Sequence, residues 1–315
     1  MSIAEDTWPI PWQPIVGDKK GMAPWLESIG ARSALATLRT LPQGARDAWC
    51  ASTARMLRRL DRRHADAARR FLTTALGPLD ADELEDRVLQ AFRHFLRVLI
   101  EADIVARMSN EERHERIRIE GAERVRPIQE AGTGALVVTC HLGNWEVAAS
   151  AVPMVGFVPT YAVGKPPKNH YLAQQIQALR EKNGVRLLPR RGAMEAAPAI
   201  LRAGGTLGLL LDQRARVRPV LAPFFGRPAR CDRSAGVLIR RMKVPLVFVF
   251  ATCRDEPLTW DFRVDEILTP EELSQKSPQE LAGIVNGVYE RAIRRHPEQY
   301  FWLHDRYKDT PEADE

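Results

Sequence analysis

The apolar run Ala135-Leu-Val-Val-Thr139 does most to constrain how this chain folds. Only its last residue has a polar side chain, so a strand formed there needs cover on both faces. Strands of that kind lie inside parallel or mixed sheets flanked by helices. The run stops at Cys140-His141, Gly143-Asn144 supplies a turn, and a helix-like stretch begins near Val147. Open α/β sheets place their chemistry at the carboxyl ends of strands. His141 falls on that edge, with Glu146 five residues further on. A histidine titrates near neutral pH and serves as a general base. A nearby carboxylate orients the ring and favours its charged form.

The spacing is not specific by itself, because His304 and Asp309 repeat it in a polar tail. On one continuous helix, positions five apart differ by about 140° and do not share a face. The pair therefore acts together only if His141 precedes the helix and Glu146 lies in its first turn. A histidine merely hydrogen-bonded at a strand end fits the same spacing.

The remaining pattern predicts one domain spanning 1–315. An N-terminal arm and helical layer occupy 1–115, and an α/β core with a largely parallel or mixed central sheet occupies 116–315. Trp8, Ile10, Trp12, Ile15, Trp25 and Leu26 stud the proline-broken start. They suit either a membrane interface or an arm packed on its own domain. Leu57, Leu60, Ala65, Ala68, Phe71 and Leu72 recur at helical spacing, as do Val88, Ala91, Phe92, Phe95, Leu96 and Leu99. Gly77-Pro78 separates the two stripes, with Asp80 or Asp82 as N-cap. Strands are expected at 117–119, 135–139, 160–163, 185–188, 206–211, 244–251 and 260–264. Helices fall between several of them, and 271–295 reads as one long helix. Residues 214–230 are dense in arginine, which suits phosphate or phosphopantetheine groups or, equally, a solvated loop.

The chain has 315 residues, 45% of them hydrophobic, enough for a substantial core. Its net charge of +6 suits an anionic membrane surface, an acidic carrier protein or nucleic acid. No nucleic-acid recognition motif stands out. Cys50, Cys140, Cys231 and Cys253 lack metal-site or redox spacing, which fits a reducing compartment. Cys140 is a poor partner for His141, since adjacent strand residues point to opposite faces. No Walker A or G-x-G-x-x-G pattern is present, and no metal or organic cofactor is expected. The start does not read as a signal peptide, and no run approaches the ~18 apolar residues of a membrane span.

His141-Leu-Gly-Asn-Trp-Glu146, after Gly132-Thr-Gly-Ala-Leu-Val-Val-Thr139, resembles the His-X4-Glu motif of the lipid A biosynthesis (lauroyl/myristoyl) acyltransferases, a branch of the glycerolipid acyltransferase-like enzymes. Further blocks resemble that family in order: Arg180 with Gly184, Gly204-Gly-Thr-Leu-Gly-Leu-Leu-Leu-Asp-Gln213, Pro223-Phe-Phe-Gly226, and His296 to His304 with Arg306 and Lys308. They span roughly residues 35 to 310. The resemblance implies transfer of a fatty acyl chain from acyl carrier protein or acyl-CoA to a hydroxyl of a lipid A precursor or related glycolipid. It implies a peripheral place on the cytoplasmic face of the inner membrane. His141 would be the base, assisted by Glu146.

Lys165, where the family commonly has Arg-Pro, and Arg180 would contact substrate phosphates or the oxyanion. Asp212 and Gln213 would position the acceptor hydroxyl, and Phe224 and Phe225 would wall the acyl chain. Each has a plain structural alternative. Lys165 also reads as a loop lysine and Arg180 as a surface helix arginine. Asp212 also reads as a turn or capping residue, and the two phenylalanines as rings folded back on the core. Other acceptors, such as an aminolipid or pigment, remain open. So does an acyl-thioester hydrolase, although a G-x-S-x-G elbow is missing.

Overall fold

The computed structural model describes residues 8–11 and 17–310. A helical layer comes first: α1 (Met22–Thr40), α2 (Gln43–Leu60), α3 (Arg62–Leu76), α4 (Ala81–Val105) and α5 (Asn110–Arg116). The α/β part continues with β1 (Ile117–Glu120), α6 (Arg126–Glu130), β2 (Ala135–Thr139), α7 (Trp145–Ala151), β3 (Thr160–Gly164), α8 (His170–Lys182) and β4 (Val185–Pro189). After these come α9 (Ala193–Arg202), β5 (Thr206–Leu210), β6 (Val220–Phe224), β7 (Arg227–Cys231), α10 (Ser234–Met242), β8 (Leu246–Cys253), β9 (Trp260–Leu268), α11 (Pro270–Leu273) and α12 (Pro278–Arg295).

Among the described residues, seven strands form one sheet in the order β1-β9-β8-β2-β5-β3-β4. β2 runs parallel to both β5 and β8, and β3 runs parallel to β4 and β5. Only β8 and β9 pair antiparallel within it. The fold is thus α/β with a largely parallel mixed sheet and an N-terminal helical layer. β2 lies at the centre and is buried along its whole length. Its side chains alternate between two cores. Leu136 and Val138 join Leu207, Leu209, Leu246 and Phe248 under α3, α4, α9 and α12. Ala135 and Val137 join Val247, Val249, Trp260 and Phe262 under α7. This two-sided burial is what a strand without polar alternation requires.

Several local features depart from the sequence expectation. The stripe from Leu57 to Leu72 is two helices, because the Asp61 carboxylate accepts the His64 N–H and starts α3 afresh. Asp80 caps α4 as expected, accepting the Glu83 N–H at 2.8 Å. Leu99 points to solvent, while His94, Val98 and Glu101 on the neighbouring face are buried. The region 271–295 is broken at Ser277, where a reciprocal capping box with Glu280 and Pro278 at the first helical position begin α12.

Within the arginine-dense stretch, residues 214–219 are irregular, and the rest belongs to the hairpin β6–β7, a two-stranded sheet of its own. Phe225 and Gly226, both at positive φ, form its two-residue turn. Trp8 packs inward, edge-on to Tyr161 with the Arg186 guanidinium 4.1 Å from its ring. Trp25 and Leu26 are exposed on α1. Trp12 and Ile15 lie outside the described residues. Among the described residues, no helix is long and apolar enough to cross a membrane.

Candidate active site

Parallel pairing brings the ends of β2 and β5 to one edge. Val138 is level with Leu209, and Thr139 with Leu210. Two residues beyond each strand stand His141 and Asp212. Asp212 is buried, and one of its carboxylate oxygens (Oδ1) lies 2.8 Å from His141 Nδ1. The other (Oδ2) accepts the His141 backbone N–H at 2.9 Å and the Tyr300 hydroxyl at 3.0 Å. Burial pushes the Asp212 carboxyl up, but the His141 charge and these hydrogen bonds outweigh it and hold it at about 2. An ionised carboxylate only accepts, so Nδ1 carries the proton and Nε2 of the neutral ring is bare. The Gln213 amide nitrogen lies 3.3 Å from that Nε2. The ring therefore presents a proton acceptor toward its partly open side.

Glu146 is in the first turn of α7, as expected from its separation from His141. Its carboxylate is gripped by Arg180 of α8, with Nη2 at 2.6 Å from each oxygen and Nε at 3.2 Å from Oε2. The carboxylate hydrogen-bonded to the His141 ring is that of Asp212. A buried acid–base couple thus aims the imidazole, and a second, partly exposed one joins the first turn of α7 to the last turn of α8. Lys165 is exposed just past β3, and strand parallelism puts it on the same edge.

Phe224 and Phe225 fold back into an aromatic cluster with Phe71 of α3, with ring centroids 5.9 and 6.4 Å from Phe71. Tyr300, Trp302 and Tyr307 complete that cluster around Phe71. Truncating a core ring of this kind costs about 3–5 kcal/mol. The apolar surface beside His141 comes from other residues. Trp145 and Phe301 lie 4.8 and 5.8 Å from the imidazole, and Phe95 of α4 lies 5.2 Å from Phe301. All three are partly exposed.

Three of these contributors were within quoted motifs. Trp145 stands inside the His141–Glu146 segment, and Tyr300 and Phe301 inside the C-terminal block. Phe95 gave no signal beyond its place in an apolar stripe.

The turn that carries His141 is stitched to its surroundings. Gly143 has φ of +59°, and a Cβ there would lie 2.0 Å from the Ala251 carbonyl oxygen, so only glycine fits. The Asn144 N–H bonds that oxygen at 2.7 Å, and the Gly143 N–H bonds the Gln299 carbonyl at 2.9 Å. The Tyr289 hydroxyl of α12 holds the Thr139 carbonyl at 2.7 Å. Cys140 is wholly buried, and burial followed by the Asp212 charge pushes its thiol well above its ordinary range. An inert thiol follows, not a nucleophile. His304 accepts the Arg214 N–H through Nε2, and burial lowers its pKa to about 4. Among the described residues, no group of three or more His, Cys, Asp or Glu could hold a metal ion.

Against known proteins, the sequence model of the family described as bacterial lipid A biosynthesis acyltransferase matches residues 22–309. The chain is 22% identical over 259 residues to the lipid A biosynthesis palmitoleoyltransferase of Escherichia coli (strain K12), covering 81% of this chain and 82% of that protein. It is 22% identical, with the same coverage, to the lipid A biosynthesis acyltransferase of Shigella flexneri.

Proposed function

The chain belongs to the bacterial lipid A biosynthesis acyltransferase family and is an acyltransferase, and from that premise we propose that it moves a fatty acyl chain from a carrier thioester to a hydroxyl of a lipid A precursor or related glycolipid. The observation that carries the reading is the hydrogen-bonded chain Tyr300–Asp212–His141 with Nε2 turned toward Gln213 and a rim of aromatic rings.

In this reaction His141 Nε2 removes the proton of the acceptor hydroxyl while its oxygen attacks the thioester carbonyl. The carbonyl π bond opens to an oxyanion. When it re-forms, the carbon–sulfur bond breaks and the leaving thiolate takes the proton back from the imidazolium. Asp212 stabilises the imidazolium through Nδ1 and keeps the ring's tautomer fixed, a role that typically contributes 10²–10⁴-fold together with the base. Gln213 yields its place at Nε2 to the hydroxyl and positions it. Glu146 adds negative charge near the imidazolium and holds Arg180, whose guanidinium, with Lys165, receives phosphate or the developing oxyanion. Phe95, Trp145 and Phe301 offer the acyl chain a surface. Phe224 and Phe225 back that region through Phe71 and Trp302.

The donor is acyl carrier protein or acyl-CoA, and the protein sits peripherally on the anionic cytoplasmic face of the inner membrane. Two features support surface attachment. Met22, Trp25, Leu26 and Ile29 are exposed along one face of α1. Residues 17–70 also hold twelve Lys and Arg against five Asp and Glu, a local +7 that exceeds the +6 of the whole chain.

The test is lipid mass spectrometry of the host with the gene deleted, then restored as wild type or His141→Ala. One lipid gaining one acyl chain only with wild type is the expected result, and it names the acceptor. An unchanged lipid profile across the three strains overturns membrane-lipid acylation. Release of free fatty acid by the purified protein without a new ester replaces it with thioester hydrolysis.

A further inference from the structure

The turn Leu142-Gly143-Asn144 separates the base from Glu146, and helix α4 reaches it at two points. The His94 ring lies with Nε2 3.0 Å from the Gly143 carbonyl oxygen. The Asn144 side-chain amide donates to Glu101 at 3.4 Å, while its oxygen accepts the Val147 N–H and starts α7. His94 and Glu101 are both buried. Seven positions apart, they lie on one face of α4 about 10.5 Å from each other along the axis. Polar groups on a buried helix face cost stability unless each finds a partner. Glu101 also takes the Trp260 indole N–H at 3.0 Å and Arg97 at 2.6 Å, so it has a bracing role of its own. His94 has no acidic partner in that arrangement. Its ring nitrogen is directed at the carbonyl of a residue that must be glycine.

We propose that His94 is a positioning residue for the acyl transfer, and that α4 fixes the orientation of His141 by holding the 142–144 turn. The inference rests on His141 acting as the base. A carbonyl only accepts, so His94 donates through Nε2. Burial, with the nearby Arg97 charge, lowers its pKa to about 4 against the smaller opposing effects of the Gly143 and Gln299 backbone, so the ring stays neutral at working pH. The contrast with His141 is functional. One histidine gains and loses a proton in every turnover, and the other keeps a constant hydrogen bond to the backbone two residues away. The turn's geometry is thereby insulated from the charge cycle of the base.

The experiment compares His94→Phe, which keeps a ring and removes the donor, His94→Asn, whose amide is too short to reach, and His94→Gln, whose amide nitrogen falls near the imidazole Nε2. Each is assayed for kcat and KM with purified carrier thioester and acceptor lipid. Each is also examined by nitrogen NMR of the His141 Nδ1–H against Asp212. The expected result is a kcat about tenfold lower for the Phe and Asn variants, the loss of one aimed hydrogen bond. KM should stay unchanged, the His141 resonance should move, and Gln should restore both readouts. Wild-type kcat and an unmoved resonance in His94→Phe or His94→Asn would overturn the proposal. So would equal losses in all three variants that track thermal stability. Should wild type show no transfer at all, the proposed function fails, and the resonance still decides whether His94 orients His141.

Discussion

At the carboxyl edge of the sheet, Asp212, Asn144, Glu101 and His94 are buried, and each has its hydrogen bonds made within the protein. On the outer face of the helical layer the pattern is reversed. Met22, Trp25, Leu26, Met56 and Leu60 stand exposed among arginines. Polar groups are normally left in water and large apolar ones withdrawn, so both regions run against the usual economy of folding. The first accepts the cost of desolvating charge in return for a fixed imidazole. The second leaves apolar surface in water, and the proposed function supplies a lipid surface to cover it. One region is completed by the chain itself, and the other, in the proposed function, by a lipid surface.

The sharpest way to break this contrast is Asp212→Asn. The amide keeps the shape but can present a donor to Nδ1, which destabilises the imidazolium and the productive tautomer. A fall in kcat of about 10²–10⁴-fold with a preserved fold is expected. Comparable turnover in steady-state assays would make Asp212 a structural residue.

Next in size is Arg180→Ala. It removes the partner of Glu146 and a cation of the proposed site, and transfer should fall about tenfold to a hundredfold. The pair is partly exposed, so the stability change should stay within about 1 kcal/mol. A large drop in thermal midpoint with intact specific activity would reassign the pair to the fold.

The outer face is tested by Trp25→Ala with Leu26→Ala. Binding to vesicles of phosphatidylglycerol should weaken about tenfold, and residual binding should fall further with salt. Turnover of detergent-dispersed substrates should be untouched. Unaltered vesicle binding would move the attachment surface elsewhere.

The smallest effect is on pH and stability. His94 and His304 are both held near 4 from an ordinary 6.5, chiefly by burial. The unfolded chain therefore binds protons that the folded chain refuses. Their contribution is fully present above about pH 6.5 and declines as pH falls toward 4. Asp212, held near 2 from 3.8, adds a loss below pH 3.8. Denaturant titrations should show this slope, and His94→Gln should flatten it between pH 6.5 and 4. An identical slope in the variant would mean that His94 titrates normally.

Much of the sheet edge was legible in the chain. The uninterrupted apolar run Ala135–Thr139 implied a strand covered on both faces, and the break at Gly143-Asn144 put His141 at its end and Glu146 in a first turn. Asp212 was legible as a carboxylate ending a second strand. Its direct bond to the imidazole was not, because strand order is set by packing between distant segments. β2 pairs with β5 across the intervening β3 and β4. The hairpin at 220–231 was hidden because its turn uses Phe225 at positive φ, where Asn or Gly would have signalled it. The rings at that turn read equally as an acyl-chain wall or as folded back on the core, and what draws them inward is Phe71, a partner about 150 positions away in sequence. His94 was hidden for a similar reason. Its apolar neighbours marked α4 as amphipathic, and nothing local says which backbone carbonyl a buried imidazole meets.

Cys140 gives the molecule a clock. It follows β2 directly, its sulfur is sealed in the core with Leu136, Val138 and Leu142, and its thiol is held in the unreactive protonated form. An alkylating reagent can reach it only during moments when the strand end parts from its cover. The rate at which that one thiol is labelled, resolved from Cys50, Cys231 and Cys253 by peptide mass, therefore counts how often this edge of the sheet opens. Occupancy of the edge by donor or acceptor should slow the count, giving a measure of ligand residence that needs no turnover and no introduced probe.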